Sequence, residues 1–299
     1  MNLDEEIRDG YTVTAKMKRV WDIQLRIVRR VLEVCQKHNI TIWADGGTLL
    51  GAVRHKGYIP WDDDIDLFMT RENYDRLLAV APQEFTHPFF FQCAYTDRLY
   101  LRGHAQVRYD GTTALLAPDV DRPYHCGIFI DIFVYDALPA DKHEFVRRLI
   151  RAERLRKLMR SRVADRLSLS DPKASLLHLY SLAYFAFHPF RKVFARFDNL
   201  YAARDCRRSS DFSCPAFDVA SVFKIVRRAE WLADTVWLPF EDISLPAPVN
   251  YDAVLRNQYG DYMTPVKAPT LHGSVYFDTE RDYRDVIKDV KAGKIKLDN

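Results

Sequence analysis

Hydrophobic residues in the first half of the chain occur first at helical spacing and then in short continuous runs. Between Thr14 and His38 they recur every three or four positions, which predicts an amphipathic helix with one buried face. Later apolar runs predict strands separated by short helices. The helical stripe consists of Val20, Ile23, Ile27, Val31 and Val34. The predicted strands are Ile40–Ala44, Asp64–Met69, Phe89–Cys93, Ala105–Tyr109 and Gly127–Val134, and the short helices are Thr48–His55 and Arg71–Val80.

A pair of glycines precedes the first short helix. Gly46 and Gly47 allow a sharp turn and a close approach of a ligand to the backbone. The free N–H groups at a helix start favour an anion such as phosphate. Taken alone, the dipeptide is more typical of an ordinary turn.

Two carboxylates are predicted to share one face of the following strand. Side chains at positions i and i+2 point the same way, so Asp64 and Asp66 project together and Asp63 points away. Paired carboxylates repel each other unless a cation lies between them, and hard oxygen ligands suit Mg²⁺ or Mn²⁺. The alternative is a solvated acidic turn over residues 62–66. The apolar residues on both sides of the acidic run favour the metal site.

A third carboxylate interrupts an otherwise apolar strand. Asp131 lies within the sequence G-I-F-I-D-I-F-V of residues 127–134. It is predicted either to complete the metal site or to act as the base that takes a proton from an acceptor hydroxyl. A surface position at a strand end is the alternative for Asp131 considered alone.

Four motifs resemble the LicD and fukutin-related family of phosphotransferases. They are G-G-T-L-L-G at 46–51, I-P-W-D-D-D-I-D at 59–66, G-I-F-I-D-I-F at 127–133, and the block from Tyr251 to Pro265 that contains Y-G-D-Y-M. They occur in the family order and span most of the chain, whereas Val266–His272 departs from the family pattern. The resemblance implies an α/β (α+β) fold: a nucleotidyltransferase core with a mixed sheet, plus a helical insertion.

The resemblance also implies a reaction. A hydroxyl of a cell-surface glycan, including a lipid-linked one, would attack the phosphorus of a CDP-activated alcohol such as a choline, ribitol or glycerol derivative. Lipopolysaccharide, teichoic acid and capsule are the acceptor types expected. Such chemistry needs positioning and charge neutralisation more than covalent catalysis. A nucleotidyltransferase that moves a nucleoside monophosphate to a sugar or protein, and a non-catalytic binding module, are the alternatives.

The resemblance implies roles for nine residues. Asp64, Asp66 and Asp131 would form the catalytic metal site. Gly46, Gly47 and Thr48 would hold phosphate. Arg54 and His55, with Lys56, follow the phosphate helix and could neutralise the leaving group; an exposed cationic helix end is the alternative for Arg54 and Lys56.

Composition excludes several classes of protein. The net charge of +3 gives no bulk attraction for nucleic acid. The cysteines are odd in number and scattered, which predicts inert thiols rather than disulfides or a zinc site; they are Cys35, Cys93, Cys126, Cys206 and Cys214. The N-terminus does not resemble a signal peptide, and no apolar run is long enough to span a bilayer. Together these features predict a cytoplasmic protein, including one at the inner face of the membrane.

The composition changes after Pro139 and predicts three regions: a core over 1–139, a helical subdomain over 140–215, and a C-terminal segment over 216–299 that completes the core and the site. Residues 142–166 are rich in arginine, including Arg166, and 174–190 are rich in Leu, Tyr and Phe. The pair predicts either a subdomain packed on the core or a peripheral membrane contact through 142–190.

Smaller elements are predicted beside these regions. Asp110-Gly111 favours a hairpin turn after the strand ending at Tyr109. Val219–Arg227 and Ser244–Val249 are predicted to be extended, and Asp252–Tyr259 helical with Gly260 as its cap. The tail from Tyr283 is predicted to be a surface helix that frays.

Overall fold

A computed structural model describes residues 1–97, 99–139, 141–163, 171–201, 210–214, 222, 224–265 and 274–297. Predictions for Arg166, Cys206, residues 219–221 and Val266–His272 lie outside these ranges. The helices are α1 Ala15–Lys37, α2 Gly46–Arg54, α3 Arg71–Glu84, α4 Lys142–Val163, α5 Pro172–Phe187, α6 Phe190–Tyr201, α7 Tyr251–Tyr259 and α8 Tyr283–Lys291. The strands are β1 Glu6–Arg8, β2 Tyr11–Val13, β3 Trp43–Ala44, β4 Asp66–Thr70, β5 Phe89–Gln92, β6 Ala105–Tyr109, β7 Thr113–Leu115, β8 Phe129–Ala137, β9 Asp211–Ser213, β10 Val226–Arg228, β11 Thr235–Phe240, β12 Ile243–Pro248 and β13 Tyr276–Asp278.

Strand β8 organises a mixed seven-stranded sheet. One edge of β8 pairs in parallel with β4, which pairs antiparallel with β3. The other edge pairs antiparallel with β6 near its start and with β9 near its end. Strands β5 and β10 extend these two branches. The predicted α/β class with a mixed sheet is therefore confirmed.

Helix α1 forms where its amphipathic pattern predicts it. The Thr14 hydroxyl caps its start by accepting a hydrogen bond from the Met17 N–H. All five predicted stripe residues are buried in the main core, which also takes in the inner faces of β4, β6 and β8. Burying this face supplies most of the stability of the helix, because apolar burial outweighs intrinsic helix propensity.

Two predictions of strand structure near the site are wrong. The first strand covers Trp43–Ala44, and the second begins at Asp66 rather than Asp64. Residues 62–65 form irregular backbone instead, so strand alternation does not govern their side chains. The Asp110-Gly111 turn exists, with Gly111 at φ +74°, but it does not join a hairpin: β6 pairs with β5 and β8, whereas β7 pairs with β13.

Residues 142–201 contain three helices where the sequence predicts two. Helix α4 packs against both α5 and α6, and their shared apolar cluster includes Phe145, Met159 and Phe197. Among the described residues, no helix combines the length and the hydropathy needed to cross a bilayer. The predicted region boundaries at 139/140 and 215/216 stay predictions; β9 lies within 140–215 and joins the core sheet.

The C-terminal elements and the thiols behave largely as predicted. Helix α7 ends at Gly260, whose φ of +68° suits glycine. Helix α8 is anchored by buried Tyr283 and Val286 rather than lying loose on the surface. The four described cysteines are free and buried. Burial raises the pKa of Cys35 to about 12 and that of Cys126 to about 11, so both thiols stay protonated and unreactive.

Candidate active site

Three consecutive aspartates form the most compact acidic cluster of the described residues. Each of Asp62, Asp63 and Asp64 places a carboxylate oxygen within 4.8 Å of the other two. Helix α1 fixes the backbone below them: the Trp21 indole N–H donates to the Asp62 carbonyl at 3.1 Å, and the Gln24 amide donates to the Asp63 carbonyl at 2.8 Å. The prediction that Asp63 points away is therefore wrong, because this segment is not an extended strand.

Asp66 lies beside this cluster and opposite Asp131. Strands β4 and β8 pair in parallel with Asp66 in register with Asp131, so both side chains occupy one face of the sheet. Burial, then the charges of Asp64 and Asp131, raises the pKa of Asp66 well above its ordinary value. The structure thus brings the three carboxylates that the sequence singles out into one electrostatic unit centred on Asp66.

Asp62 joins the same unit, which the sequence analysis missed. Burial and the neighbouring Asp64 carboxylate raise the pKa of Asp62 to about 8. Its charge also acts on Asp66. The signal was present in the sequence, since the family motif contains three consecutive aspartates, but the predicted strand starts at Asp64 and leaves Asp62 outside it.

Asp131 has the opposite electrostatic environment. Burial alone would raise its pKa, yet His104, Arg102 and Gln106 together lower it. The Gln106 amide donates to Asp131 Oδ1 at 2.6 Å, and His104 Nε2 lies 3.0 Å from the same oxygen. Asp131 is therefore held ionised and in a fixed orientation at neutral pH. His104 and Gln106 lie on or just before β6, a position that sequence reasoning did not connect with the site.

The carboxylates fit a divalent cation. Their oxygens are hard donors of the kind that Mg²⁺ and Mn²⁺ prefer. Burial and then the repulsion of neighbouring carboxylates raise the pKa values of Asp62 and Asp66, and a bound cation would relieve that repulsion. Whether the ion is bound by the predicted set of Asp64, Asp66 and Asp131, or by a set that includes Asp62, stays a prediction.

Asp62 and Asp66 lie so close to the start of helix α2 that only glycine fits at positions 46 and 47. A Cβ on Gly47 would lie 2.7 Å from Asp62 Oδ2, and one on Gly46 would lie 3.1 Å from Asp66 Oδ2. Gly46 also has φ +50°, where side chains are strained. The glycines therefore let the acidic side chains reach the start of α2. Their predicted contact with phosphate stays a prediction.

Thr48 has a defined structural partner. Its buried hydroxyl accepts the backbone N–H of Asp66 at 2.8 Å, which ties the first turn of α2 to the start of β4. This bond positions Asp66. It leaves the hydroxyl proton of Thr48 able to donate to another acceptor, as the predicted phosphate contact requires.

A buried ion pair stabilises the start of helix α2. Asp45 precedes α2, and its carboxylate accepts hydrogen bonds from Arg227 at 2.9 Å and from the Tyr135 hydroxyl at 3.0 Å. Arg227 is fully buried and also donates to the Gln258 side chain at 2.5 Å. This network links β8, β10 and α7 to α2. No sequence signal pointed to it, because its members lie as far apart as residues 45 and 258.

The C-terminal motif reaches the site through Tyr259. The Tyr259 hydroxyl lies 3.7 Å from the position that a Gly46 Cβ would occupy, beside Asp66 Oδ2. Burial and the charges of Asp45 and Asp66 raise the pKa of this hydroxyl, so it remains a proton donor. The sequence had suggested packing beside a donor pocket without a chemical role for this segment.

Arg54 and His55 lie at the far end of α2, about 12 Å along the helix from Gly46 at 1.5 Å per residue. Arg54 donates to the Tyr262 carbonyl at 2.9 Å. Burial and the adjacent Arg54 lower the pKa of His55, whose Nε2 lies 3.3 Å from Asp9. The charge of Arg54 interacts with Tyr259, whose hydroxyl lies beside Gly46. The predicted phosphate contacts of Arg54 and His55 stay predictions.

Comparison with known proteins agrees with the resemblance seen in the motifs. Residues 39–135 match the family model described as LicD/FKTN/FKRP, nucleotidyltransferase domain. The matched range contains three of the four motifs that carry the predicted resemblance. The predicted enzyme class, a LicD-like transferase, is likewise confirmed.

Individual relatives agree with this assignment. The chain is 29% identical to the lipopolysaccharide cholinephosphotransferase LicD of Haemophilus influenzae over 232 residues, covering 77% of this chain and 84% of that protein. It is 41% identical to an uncharacterized protein of Rickettsia prowazekii over 71 residues, covering 24% of each chain. It is 49% identical to the human ribitol 5-phosphate transferase FKRP over 39 residues, covering 13% of this chain and 8% of that protein.

Proposed function

We propose that this protein transfers a phosphorylated alcohol from a CDP-activated donor to a hydroxyl group of a glycan. The observation that carries the proposal is the convergence of Asp62, Asp64, Asp66 and Asp131 beside the start of α2. This constellation supplies anionic ligands next to a helix start that favours phosphate. Two relatives named above support the reaction class, since one is a cholinephosphotransferase and the other a ribitol 5-phosphate transferase.

The reaction exchanges a phosphoanhydride bond of the donor for a phosphate ester bond to the acceptor. The acceptor oxygen forms a bond to the phosphorus that carries the alcohol, the bond from that phosphorus to CMP breaks, and the acceptor proton leaves to a base. A phosphodiester and CMP result. The transferred group and the leaving group are both anionic, so the protein has to neutralise charge and align the reacting atoms.

Mg²⁺ or Mn²⁺ is the cofactor we propose. Asp64, Asp66 and Asp131, joined by Asp62, would hold it, and when bound it supplies positive charge to the diphosphate oxygens. Thr48 keeps Asp66 in place, and Gln106 and His104 orient Asp131. The lowered pKa of Asp131 favours a role as ligand over that of base, because a more acidic carboxyl accepts protons less readily.

A thermal-shift panel tests the donor and the cofactor together. The wild-type chain and Asp66→Asn are heated with CDP-choline, CDP-ribitol or CDP-glycerol, with and without Mg²⁺. We expect one CDP-alcohol to stabilise the wild type only when Mg²⁺ is present, and to leave Asp66→Asn unchanged. Stabilisation by every CDP-alcohol equally in EDTA would contradict the proposed donor site.

Product analysis separates the proposed activity from its alternatives. Incubation with the stabilising donor and a glycan acceptor should release CMP and add the alcohol phosphate to the acceptor. Attachment of the nucleotide to the acceptor would establish a nucleotidyltransferase instead. Donor binding without turnover across a panel of acceptors would support a binding module. The cytoplasmic location, including the inner face of the membrane, stays a prediction that fractionation of cells tests.

A further inference from the structure

Helix α5 exposes an unusually apolar face. Its 16 residues contain one residue of the Lys, Arg, Asp and Glu types, Lys173. Leu176 is 70% exposed, Tyr180 58% and Phe187 84%. Together with Leu179 they recur at intervals of three, four and seven residues, which places them on one side of the helix. Apolar side chains that cover one helix face in this way mark an interaction surface rather than scattered surface residues.

The neighbouring helix α4 carries concentrated positive charge. It has nine Lys and Arg residues against two Glu, a net charge of +7, whereas the whole chain has +3. The two glutamates pair with Arg148 and Arg156, which are both mostly buried. The remaining exposed cations follow one another at helical spacing and form no ion pair within the described part of the chain; they are Arg147, Arg151, Arg154, Lys157 and Arg160.

Apolar and cationic groups also occur together within α4 and α6. Val146 and Ile150 are 43% and 49% exposed and alternate with the cations of α4. On α6, Lys192 and Arg196 are exposed while Val193 and Phe197 face the inner cluster. Because α4 packs against both other helices, the three form one unit whose outer residues combine apolar side chains with positive charge. We call this surface the α4–α6 face.

We propose that the α4–α6 face docks on an anionic phospholipid bilayer, with α5 lying in the interface. The partner must accept leucine and phenylalanine side chains and also neutralise several cations, and the boundary between headgroups and acyl chains offers both. Arginine and lysine side chains are long enough to reach phosphates while their stems cover apolar surface. With 16 residues, α5 is shorter than the roughly 20 residues that a spanning helix needs, which suits an interfacial position. The proposal goes beyond group transfer, which a water-soluble acceptor would allow without any membrane.

Vesicle flotation with the full chain tests the docking. Vesicles of phosphatidylglycerol mixed with phosphatidylethanolamine are compared with vesicles of phosphatidylcholine, each at low and at high salt. We expect flotation with the anionic vesicles and its marked loss at high salt, because screening weakens the attraction. Absence of flotation with anionic vesicles at low salt would overturn the proposal.

A charge variant tests the cationic residues. The triple variant Arg147→Gln/Arg151→Gln/Arg154→Gln should bind anionic vesicles about a hundredfold more weakly, since each cation contributes about fivefold in affinity. The matched control Arg19→Gln/Arg26→Gln/Arg284→Gln removes three exposed arginines from α1 and α8 and should change binding little. Equal losses in the two triple variants would show nonspecific charge attraction and overturn the proposal.

A variant that replaces apolar side chains of α5 tests their role in binding, and it also tests whether a second copy of the chain binds this face instead. Leu176→Gln/Phe187→Gln should weaken vesicle binding, whereas the control Ile7→Gln/Trp237→Gln, at residues that are 75% and 61% exposed, should not. Sedimentation velocity without lipid distinguishes self-association. A stable dimer that Leu176→Gln/Phe187→Gln dissociates, in a chain that ignores vesicles, would assign the face to a second copy and overturn the membrane proposal.

Discussion

The acidic site and the α4–α6 face depart from ordinary folding preferences in opposite ways. The site brings Asp62, Asp64, Asp66 and Asp131 together in a partly buried place, where their charges repel. The α4–α6 face leaves apolar residues such as Leu176 and Phe187 in water. Each arrangement costs free energy in the isolated chain. The two regions share one lesson: each leaves a free-energy cost that a bound partner would offset, and we propose a divalent cation for the acidic site and an anionic bilayer for the α4–α6 face.

The buried Asp45–Arg227 pair shows what compensation within the chain looks like. It lies close to the acids, yet its charges are opposite and both partners are hydrogen-bonded. It therefore serves as an internal reference for the uncompensated acids. Substitutions in the acidic site, in the Asp45–Arg227 pair and on the α4–α6 face should therefore change the stability of the protein in different directions and by different amounts.

The largest effect is expected at Asp66. Asp66→Asn should lower the transfer rate by about 10³-fold, because charge stabilisation by a metal site contributes several kcal/mol. The same change should raise the melting temperature in EDTA, since it removes repulsion from Asp64 and Asp131. Enzyme assay and calorimetry measure the two. Asp75→Asn, on α3, is the control. Near-normal turnover in Asp66→Asn would refute the metal assignment.

The next largest effect should follow from breaking the internal pair. Arg227→Gln leaves Asp45 buried without its cation and should reduce the free energy of unfolding by about 3–5 kcal/mol. Urea denaturation measures this loss. If Arg227→Gln lowers the stability of the protein while Asp66→Asn raises it in the absence of metal, the contrast between the paired and the unpaired acids becomes sharper. If both variants lost stability equally, repulsion within the acidic site would be disproved.

A moderate effect is expected from filling the space beside Gly47. Gly47→Ala would place a Cβ 2.7 Å from Asp62 Oδ2 and displace that carboxylate. We expect Mg²⁺ to bind about tenfold more weakly, a loss of about 1.4 kcal/mol, as measured by calorimetric titration. In an Asp62→Ala background the obstruction is gone, so adding Gly47→Ala should then cost little. If Gly47→Ala still weakened Mg²⁺ binding about tenfold in the Asp62→Ala background, contact with Asp62 would not be the cause of the loss.

The pH dependence follows from the raised pKa values. Folding raises the pKa of Asp62 from its ordinary value of 3.8 to about 8. The folded state therefore holds the carboxyl proton of Asp62 more tightly than the unfolded state does. The resulting stabilisation is complete below pH about 4 and is lost as pH rises towards 8. Metal must displace the proton, so the stabilisation by Mg²⁺ should grow between pH 6 and pH 8. Thermal shifts in EDTA and in Mg²⁺ across that range measure both trends; a flat Mg²⁺ response would contradict the role of Asp62.

The smallest effect is expected on the α4–α6 face. Leu179→Ala should change the free energy of unfolding by less than about 0.5 kcal/mol, because half of the side chain is already in water. Leu67→Ala, the same change at a fully buried position in β4, should cost about 2–5 kcal/mol. Urea denaturation compares them. A loss of the larger size for Leu179→Ala would show that this face is packed inside the protein.

Local patterns were sufficient for several elements and motifs. The spacing of Val20, Ile27 and Val34 predicted α1, since burial of one helix face leaves a periodic signal in the sequence. The glycine pair and the acids of the D-D-D-I-D segment pointed to the candidate site and to the resemblance, because such residues are uncommon inside apolar sequence. Asp131 was found for the same reason, as the one charge in the apolar run of residues 127–134.

Only the tertiary structure decided which residues surround these acids. The start of β4 at Asp66 rather than Asp64 depends on its pairing with β3 and β8, so the orientation of Asp63 could not follow from alternation alone. The contacts of Arg227 with Asp45, and of Gln106 with Asp131, join positions that are distant in sequence. Periodicity reports how a segment is buried, whereas long-range pairing and side-chain contacts depend on how several segments pack together, and that information exists only once the chain has folded.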